Sequence, residues 1–327
     1  MRGMRVARAG PKGETGPMIA QRTMTGPAWA QLLLLSGVWG TVFLSVRVAL
    51  GELGFVTLVA HRVFWAALVL LLVVRLRGHR MPRDPRLSGA FLVMGILNNA
   101  LPFGLQAWGQ LHIPSGLVAI LNAGTAITGM LVAAFFLPDE RLTARRLAGA
   151  ALGFAGVATA IGIGNLAALD LGSLAQLAVV ASTVCYALAG VWARTRLAGQ
   201  PGEVAAAGML LCSAAVTVPA ALLIDGAPSF DLAPGTVLAL AHLSVVATAG
   251  AYLLYYSVLR LAGSANLMLC TLLIAPVAIG LGAAFLGERL RPEAWAGFAL
   301  LAAGLLVIDG RALRGWRRGR RASNEAR

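Results

Sequence analysis

The sequence predicts an all-α membrane protein with ten transmembrane helices, arranged as two inverted five-helix repeats. Of its 327 residues, 58% are hydrophobic and only 12% are charged, whereas soluble proteins carry about 25% charged residues. Apolar runs recur from Trp29 to Ile308, and most have about 20 residues, the length at which a helix crosses a bilayer. The third observation is an internal repeat at about half the chain length, which indicates two related halves.

The repeat is clearest in two stretches that lie 148 residues apart. Residues 140–157 and 288–305 are identical at nine of eighteen positions. Each stretch begins Glu-Arg-Leu and continues into an apolar run that contains several glycines and alanines. Each therefore predicts a short polar turn that leads into a helix with small residues on one side.

Short polar breaks divide the chain into ten apolar segments. Because an α-helix rises about 1.5 Å per residue, a segment of about 20 residues spans the hydrocarbon layer. The predicted helices are residues 29–49, 54–74, 88–108, 115–136, 146–164, 173–193, 204–224, 235–258, 265–286 and 292–309.

The distribution of positive charge predicts the orientation. With the amino terminus in the cytoplasm, the inside segments hold 23 of the 27 Lys and Arg residues, as the positive-inside rule requires. We therefore predict a multi-pass protein of the inner (plasma) membrane, with both termini cytoplasmic. Residues 1–28 and 310–327 are basic tails, residues 29–164 form the first repeat and residues 165–309 the second.

The net charge of +14 is explained by this topology and by contact with the lipid bilayer. No nucleic-acid partner is predicted, since no basic module with interleaved aromatic residues accompanies the charge. Because each half has five helices, the second half inserts upside down relative to the first. Inverted repeats are typical of secondary transporters, whose mirrored halves exchange inward-open and outward-open roles.

Several short motifs in both halves together resemble the EamA type of the drug/metabolite transporter (DMT) superfamily, over residues 29–309. The resemblance implies a ten-helix bundle around a central substrate cavity, and export or uptake of amino acids and small metabolites. The motifs are Trp39-Gly40, Arg62, Asn122-Ala123-Gly124-Thr125, Asp139-Glu140-Arg141-Leu142 with Gly149 and Gly156, Ala275-Pro276, and Gly287-Glu288-Arg289-Leu290 with Gly297 and Gly304.

One position departs from the family pattern. Family members usually carry a proline in helix 4 as well as in helix 9, but here Ala126 stands where Pro276 has its counterpart. Proline removes a backbone donor and bends a helix. We therefore expect helix 4 to be the straighter of the two.

Arg62 is the most informative charge inside a predicted helix. A buried arginine in a membrane is costly, so it should face the protein interior or a cavity. Two interpretations remain open: an anion-attracting group in a cavity, or an arginine bonded to carbonyl groups of a neighbouring helix. The other polar residues within helices are His61, Asn98, Asn99, Gln106, Asn122, Thr125, Tyr186, His242, Tyr252, Tyr255, Tyr256 and Asn266.

The sequence allows three groups of candidate residues to be named. As the lining of the substrate cavity we predict Trp39, Arg62, Asn98, Asn99, Asn122 and Tyr252. As turn or gating residues we predict Glu140, Arg141, Glu288, Arg289 and Pro276, with each glutamate paired to its adjacent arginine. As helix-packing residues we predict Gly149, Gly153, Gly156, Gly297 and Gly304, since glycine lets helix backbones approach closely.

These observations favour a secondary transporter that moves small organic metabolites, amino acids or related solutes, with export as the expected direction. Two alternatives remain open: a non-transporting membrane scaffold or sensor, and an intramembrane lipid-modifying enzyme. No catalytic motif, metal-ligand spacing or phosphate-binding loop is present in the sequence, so no catalytic residue, metal or cofactor is predicted. A small-molecule substrate is the expected partner, and a homodimer is an open possibility.

The driving force is also open. The predicted helices contain no mid-helix carboxylate, so a proton relay would have to use His61 or His242. Facilitated or exchange transport fits the sequence equally well.

Overall fold

The computed structural model describes residues 24–170, 172–229, 231–286 and 292–309. These residues form ten long helical segments and one short 3-10 helix, Ile163–Ala168, and they contain no β-strand. Seven of the segments are long and apolar enough to cross a membrane. The predicted turn residues Glu288 and Arg289 and most of both predicted tails lie outside the described residues.

The ten segments follow the predicted order, with five in each half. The first half contains α1 (Gly26–Ala49), α2 (Phe55–Leu76), α3 (Pro85–His112), α4 (Ser115–Phe136) and α5 (Ala144–Ile161). The second half contains α6 (Leu174–Arg196), α7 (Gly202–Ile224), α8 (Pro234–Ala262), α9 (Ser264–Leu267 continuing as Cys270–Leu286) and α10 (Pro292–Asp309).

Local capping explains where several of these helices begin. Thr25, Asp84, Thr143 and Ser173 precede α1, α3, α5 and α6, and each accepts a hydrogen bond from a backbone N–H of the first turn. Such side chains satisfy donors that have no partner within the helix. The first turn of α2 is capped by a residue from another part of the chain: the Asp225 carboxylate, which follows α7, accepts a hydrogen bond from the N–H of Thr57 at 2.7 Å.

Helices α5 and α10 pack against each other along the repeated glycines, and they run antiparallel. A Cβ on Gly149 would lie 2.7 Å from the carbonyl oxygen of Gly304, and one on Gly297 would lie 2.5 Å from that of Gly156. The early glycine of one helix therefore meets the late glycine of the other. Only hydrogen at these positions allows the two backbones to approach so closely.

Gly153 also lies on α5 and contacts α9 as well as α10, since a Cβ on Gly304 would lie 2.6 Å from the Gly153 backbone nitrogen. A Cβ on Gly153 would lie 3.0 Å from a methyl group of Leu272, which belongs to α9. This contact is with a flexible side chain instead of a backbone, so it is less restrictive than the contacts of the other four glycines.

The remaining helices pair in a pattern that is repeated when the two halves are exchanged. Helix α2 packs against its counterpart α7, as α5 does against α10. The α4–α6 contact is matched by α9–α1, the α3–α6 contact by α8–α1, and the α2–α8 contact by α7–α3. The repeat detected in two stretches of sequence therefore extends to the packing of the whole bundle.

Two π-helical turns lie at equivalent places in the halves. Helix α3 is π-helical over Ile96–Ala100, and α8 is π-helical over His242–Gly250. The repeat offset of 148 residues places the first segment within the second. π-helical turns are rare and frequently occur at functional sites.

Helix α4 is interrupted although it lacks the family's proline. Its first part ends at Ala123, and Thr125 begins the second part after Gly124. The Thr125 hydroxyl donates to the carbonyl oxygen of Asn122 at 2.6 Å, which satisfies an acceptor at the break. By contrast, Pro276 lies inside the continuous helix Cys270–Leu286. Helix α9 has its own interruption, between Leu267 and Cys270, so the expectation that α4 is the straighter of the two stays a prediction.

Candidate substrate cavity

A small cavity lies between the two halves of the bundle, with a volume of about 70 Å³. This volume is below the range of about 300–1,000 Å³ that is usual for small-molecule sites, so the walls must move apart before a metabolite can be held. Its walls come from helices α1, α2, α3, α4, α6, α8 and α9. They are formed by Trp39, Val42, Phe43, Arg62, Asn98, Phe103, Gln106, Asn122, Thr125, Tyr186, Tyr252, Tyr255, Met268, Cys270, Thr271 and Ile274.

The structure brings the predicted cavity residues together from distant parts of the chain. Five of the six, all except Asn99, contribute to the cavity wall. Asn99 lies behind the wall, is fully buried, and accepts a short hydrogen bond from the Tyr252 hydroxyl.

Arg62 is held by neutral groups. It is 6% exposed, its Nε donates to the Thr248 hydroxyl at 2.8 Å, and its Cζ lies 3.6 Å from the ring centroid of Phe103. Among the described residues no carboxylate forms an ion pair with it. The guanidinium is therefore a buried cation that is oriented by a hydroxyl and an aromatic ring.

The π-helical turn of α8 supplies contacts to α1 and α2 at this place. The indole N–H of Trp39 donates to the carbonyl oxygen of Ala247 at 3.1 Å, and Thr248 is the partner of Arg62. A π turn shifts the backbone hydrogen-bond pattern from i→i+4 to i→i+5. We infer that this irregularity places the Ala247 carbonyl and the Thr248 side chain where the neighbouring helices reach them.

The π-helical turn of α3 contributes a second set of hydrogen bonds at the cavity, in addition to those around Arg62. The amide of Asn98 donates to the Tyr252 hydroxyl at 3.1 Å, and the same hydroxyl donates to Asn99. Tyr252 therefore joins α8 to the irregular turn of α3 through two neighbouring asparagines.

A third polar group joins α3, α4 and α6. The Gln106 amide donates to Asn122 Oδ1 at 2.9 Å and to the Ser182 hydroxyl at 3.0 Å. The candidate list from sequence omitted Gln106, although it was recognised as polar within a helix. It also omitted Phe43 and Phe103, because an aromatic residue in an apolar segment gives no signal that separates cavity from lipid.

His242 connects α8 to the interruption of α1. Its two ring nitrogens each lie 3.0 Å from a hydroxyl, Nε2 from that of Thr41 and Nδ1 from that of Ser45. Thr41 is the residue at which α1 is interrupted. His61, the other histidine considered for proton transfer, accepts from the Trp65 indole at 3.1 Å on the same helix.

A buried charged cluster lies at the end of the bundle where α4 leads into α5. Glu140 is within 3.5 Å of Arg146 and 3.0 Å of Arg194. Arg194 also pairs with Asp139, and Arg146 donates to Asn266 at 3.0 Å. We call these five residues the charged cluster, and it joins the first half to α6 and to the first turn of α9.

The charged cluster corrects one detail of the predicted turn. Arg141, the expected partner of Glu140, is exposed, and the partners of Glu140 are the more distant Arg146 and Arg194. Burial raises the pKa of Glu140, while the adjacent guanidinium groups of Arg146 and Arg194 oppose that rise. Sequence proximity failed here because the turn points residue 141 away from the bundle.

The model of the EamA-like transporter family matches the chain twice, over residues 27–162 and 173–309. The chain belongs to the EamA-like transporter family. It is a multi-pass membrane protein of the transporter class, and membership in this family indicates a transporter rather than an enzyme.

Curated relatives of this EamA-like protein cover most of its length. One, from Streptantibioticus cattleyicolor, is 29% identical over 87% of this chain and 94% of its own length, and is named "Probable terminal-alkyne amino-acid exporter". Another, from Escherichia coli K12, is 24% identical over 86% of this chain and 89% of its own, and is named "Uncharacterized inner membrane transporter YedA". A solved crystal structure matches with a TM-score of 0.71 at 21% identity, over 88% of this chain and 99% of that one, which supports the fold alone.

Proposed function

We propose that the protein is a secondary transporter that exports small organic metabolites, amino acids or closely related solutes, across the inner membrane. The observation that carries this proposal is the cavity, whose polar and aromatic wall is built from helices of both halves. A rearrangement of one half against the other would therefore change access to everything that the cavity holds. The name of the S. cattleyicolor relative supports the amino-acid class and the direction.

The proposed mechanism is alternating access between two inverted five-helix repeats, and the antiparallel packing of α5 and α10 supports this arrangement. These helices contain the repeated glycines, so equivalent helices of the two halves run in opposite directions. If both cross the bilayer, the halves are inverted. With the amino terminus in the cytoplasm, the α4–α5 turn then lies on the cytoplasmic side.

The charged cluster is suited to close the cytoplasmic side. Glu140 and Arg146 come from the first half, whereas Arg194 and Asn266 come from the second. Relative motion of the halves would have to separate these partners. We propose that the cluster is a gate that forms when the cavity is closed to the cytoplasm.

Counterflow in proteoliposomes tests the proposed function. Vesicles preloaded with an unlabelled amino-acid mixture should accumulate labelled solute transiently, because an exchanger carries label inward while unlabelled solute leaves. Empty liposomes and vesicles without preloaded solute are the controls. If no solute moves under any gradient while the protein remains monodisperse, the transporter proposal is wrong and a scaffold role gains support.

Accessibility labelling tests the inverted topology separately. In a chain without its native cysteines, single cysteines are introduced as Arg141→Cys and Arg289→Cys and treated with an impermeant thiol reagent on intact cells. We expect only the second to react from outside. Reaction of both variants from one side would contradict the inversion and the alternating-access mechanism.

A further inference from the structure

We propose that Arg62 binds the carboxylate of the transported solute, and that the solute's side group is apolar or aromatic. This inference deepens the proposed function and rests on it, since the site lies in the same cavity. It assigns a chemical class of substrate that the family membership leaves open.

The charge balance of the cavity is the first argument. None of the residues in its wall is an aspartate or glutamate, and Arg62 forms no ion pair within the described part of the chain. An arginine side chain stays protonated in proteins. The cavity therefore contains a permanent positive charge at low exposure, and an anionic group of a ligand would neutralise it.

The geometry of the guanidinium is the second argument. Its Nε is occupied by Thr248, and its plane is fixed next to Phe103. The two terminal Nη groups make no hydrogen bond to any described residue, although each carries two N–H donors. A carboxylate fits such a fork through two parallel hydrogen bonds.

The rest of the wall limits what can be attached to the carboxylate. Six aromatic side chains contribute to it: Trp39, Phe43, Phe103, Tyr186, Tyr252 and Tyr255. Among the described residues, the buried Tyr255 hydroxyl has no hydrogen-bond partner. Because the described wall has no acidic residue, a solute with net positive charge is disfavoured. A zwitterionic amino acid or a monocarboxylate with an apolar side group fits best.

Matched acid and amide probes test this assignment. The pairs are phenylalanine with phenylalaninamide, methionine with methioninamide, and 3-phenylpropionate with 3-phenylpropionamide. Binding is measured as the rise in thermal stability of the purified protein, since a ligand stabilises by mass action. Transport is measured as inhibition of counterflow. For at least one pair we expect the acid to bind about tenfold more tightly or better, the scale of one charge-assisted contact.

The variant Arg62→Gln should remove the preference for the acid, and its affinity for the neutral amide 3-phenylpropionamide should change little. Arg62→Lys keeps the charge but loses the planar fork, so it should prefer the acid with weaker affinity. Arg47→Gln is the matched control, because Arg47 is an exposed arginine that donates to the carbonyl oxygen of Gln110 at 2.9 Å. It should retain the wild-type acid-to-amide ratio.

Two results would overturn the inference. One is a wild-type protein without acid preference in any of the three pairs, and the other is an unchanged ratio in Arg62→Gln. If Arg62→Gln does not fold, Arg62→Lys decides, since its ratio must fall between the wild-type value and one. Acid-selective binding without counterflow would contradict the transporter proposal but support the binding site.

Discussion

Two arginines of this protein are buried to a similar extent in opposite chemical surroundings. Arg146 is 5% exposed, pairs with Glu140 and donates to Asn266. Arg62 is 6% exposed, and its described partners are the hydroxyl of Thr248 and the ring of Phe103. Both side chains carry the same charge, so the difference lies in whether the protein supplies the counter-charge.

This difference separates two uses of a buried charge. In the charged cluster each ion has a partner, so the arrangement favours one conformation of the bundle. Removing one partner lowers the free energy of unfolding. At Arg62 the protein bears the cost of a buried cation, and the described residues supply no ion pair in return. A cost that does not contribute to folding is typical of binding sites.

The largest effect is expected for Glu140→Gln, which removes the negative charge between Arg146 and Arg194. Two guanidinium groups then lose their buried partner, and we expect the free energy of unfolding to fall by about 3–5 kcal/mol, as for other broken buried pairs. The measurement is unfolding by denaturing detergent in mixed micelles.

The double variant Glu140→Gln with Arg146→Gln provides the control for this effect. It removes both charges, so it should be more stable than the sum of the two single variants predicts. Additive losses would mean that the pair is not coupled and would contradict the difference drawn between the two arginines.

Gly297→Ala tests how much of the stability of the bundle depends on the close backbone packing of α5 against α10. The added methyl group would lie 2.4 Å from the backbone nitrogen of Ala160, so the helices must move apart. We expect a loss of about 1–3 kcal/mol in the free energy of unfolding. Gly89→Ala is the matched control, since a Cβ there meets nothing within 4 Å. Equal stability of the two variants would disprove close packing at the repeated glycines.

Arg62→Met should change stability in the opposite direction from Glu140→Gln. Removal of a buried cation that has no acidic partner among the described residues should raise the free energy of unfolding by about 1–2 kcal/mol. Solute binding should be lost at the same time. Stability is measured without added solute, so that ligand stabilisation does not enter. A clear destabilisation would show that Arg62 serves the fold and would weaken its assignment to the cavity.

The smallest effect is expected for Arg141→Gln. Arg141 follows Glu140 directly but is exposed, and surface substitutions usually change stability by less than about 0.5 kcal/mol. Both stability and counterflow rate should match the wild-type values. A large loss would mean that the adjacent arginine, and not the more distant Arg146 and Arg194, is the functional partner of Glu140.

The helical class, the membrane location and the two related halves could be predicted from sequence because they depend on quantities that accumulate along the chain. Hydrophobic length and a repeat at a fixed offset are read without knowledge of contacts. Arg62 and Asn98 could be proposed for the cavity for a similar reason, since a polar residue within an apolar segment needs a protein or cavity environment.

Features that depend on a single turn of backbone could not be predicted. The partners of Glu140 lie 6 and 54 residues along the chain, and the choice between them and Arg141 is made by the direction of one turn. The interruption of α4 at Gly124 and the two π-helical turns leave the hydrophobic pattern nearly unchanged. The role of Phe103 could not be predicted either, because it depends on Arg62 lying next to its ring.

The paired π-helical turns of α3 and α8 have a consequence for how the protein tolerates deletions. A π turn takes up one residue more than the α turn it replaces, and each residue of an α-helix advances the side chains by about 100°. Deleting one residue within Ile96–Ala100 would therefore convert the π turn into an α turn and leave the rest of α3 in register with its beginning, whereas a deletion in a regular part of α3 would rotate the two parts by about 100°. Phe103 and Gln106 would keep facing the cavity, and the contacts made by the π turn itself would be lost.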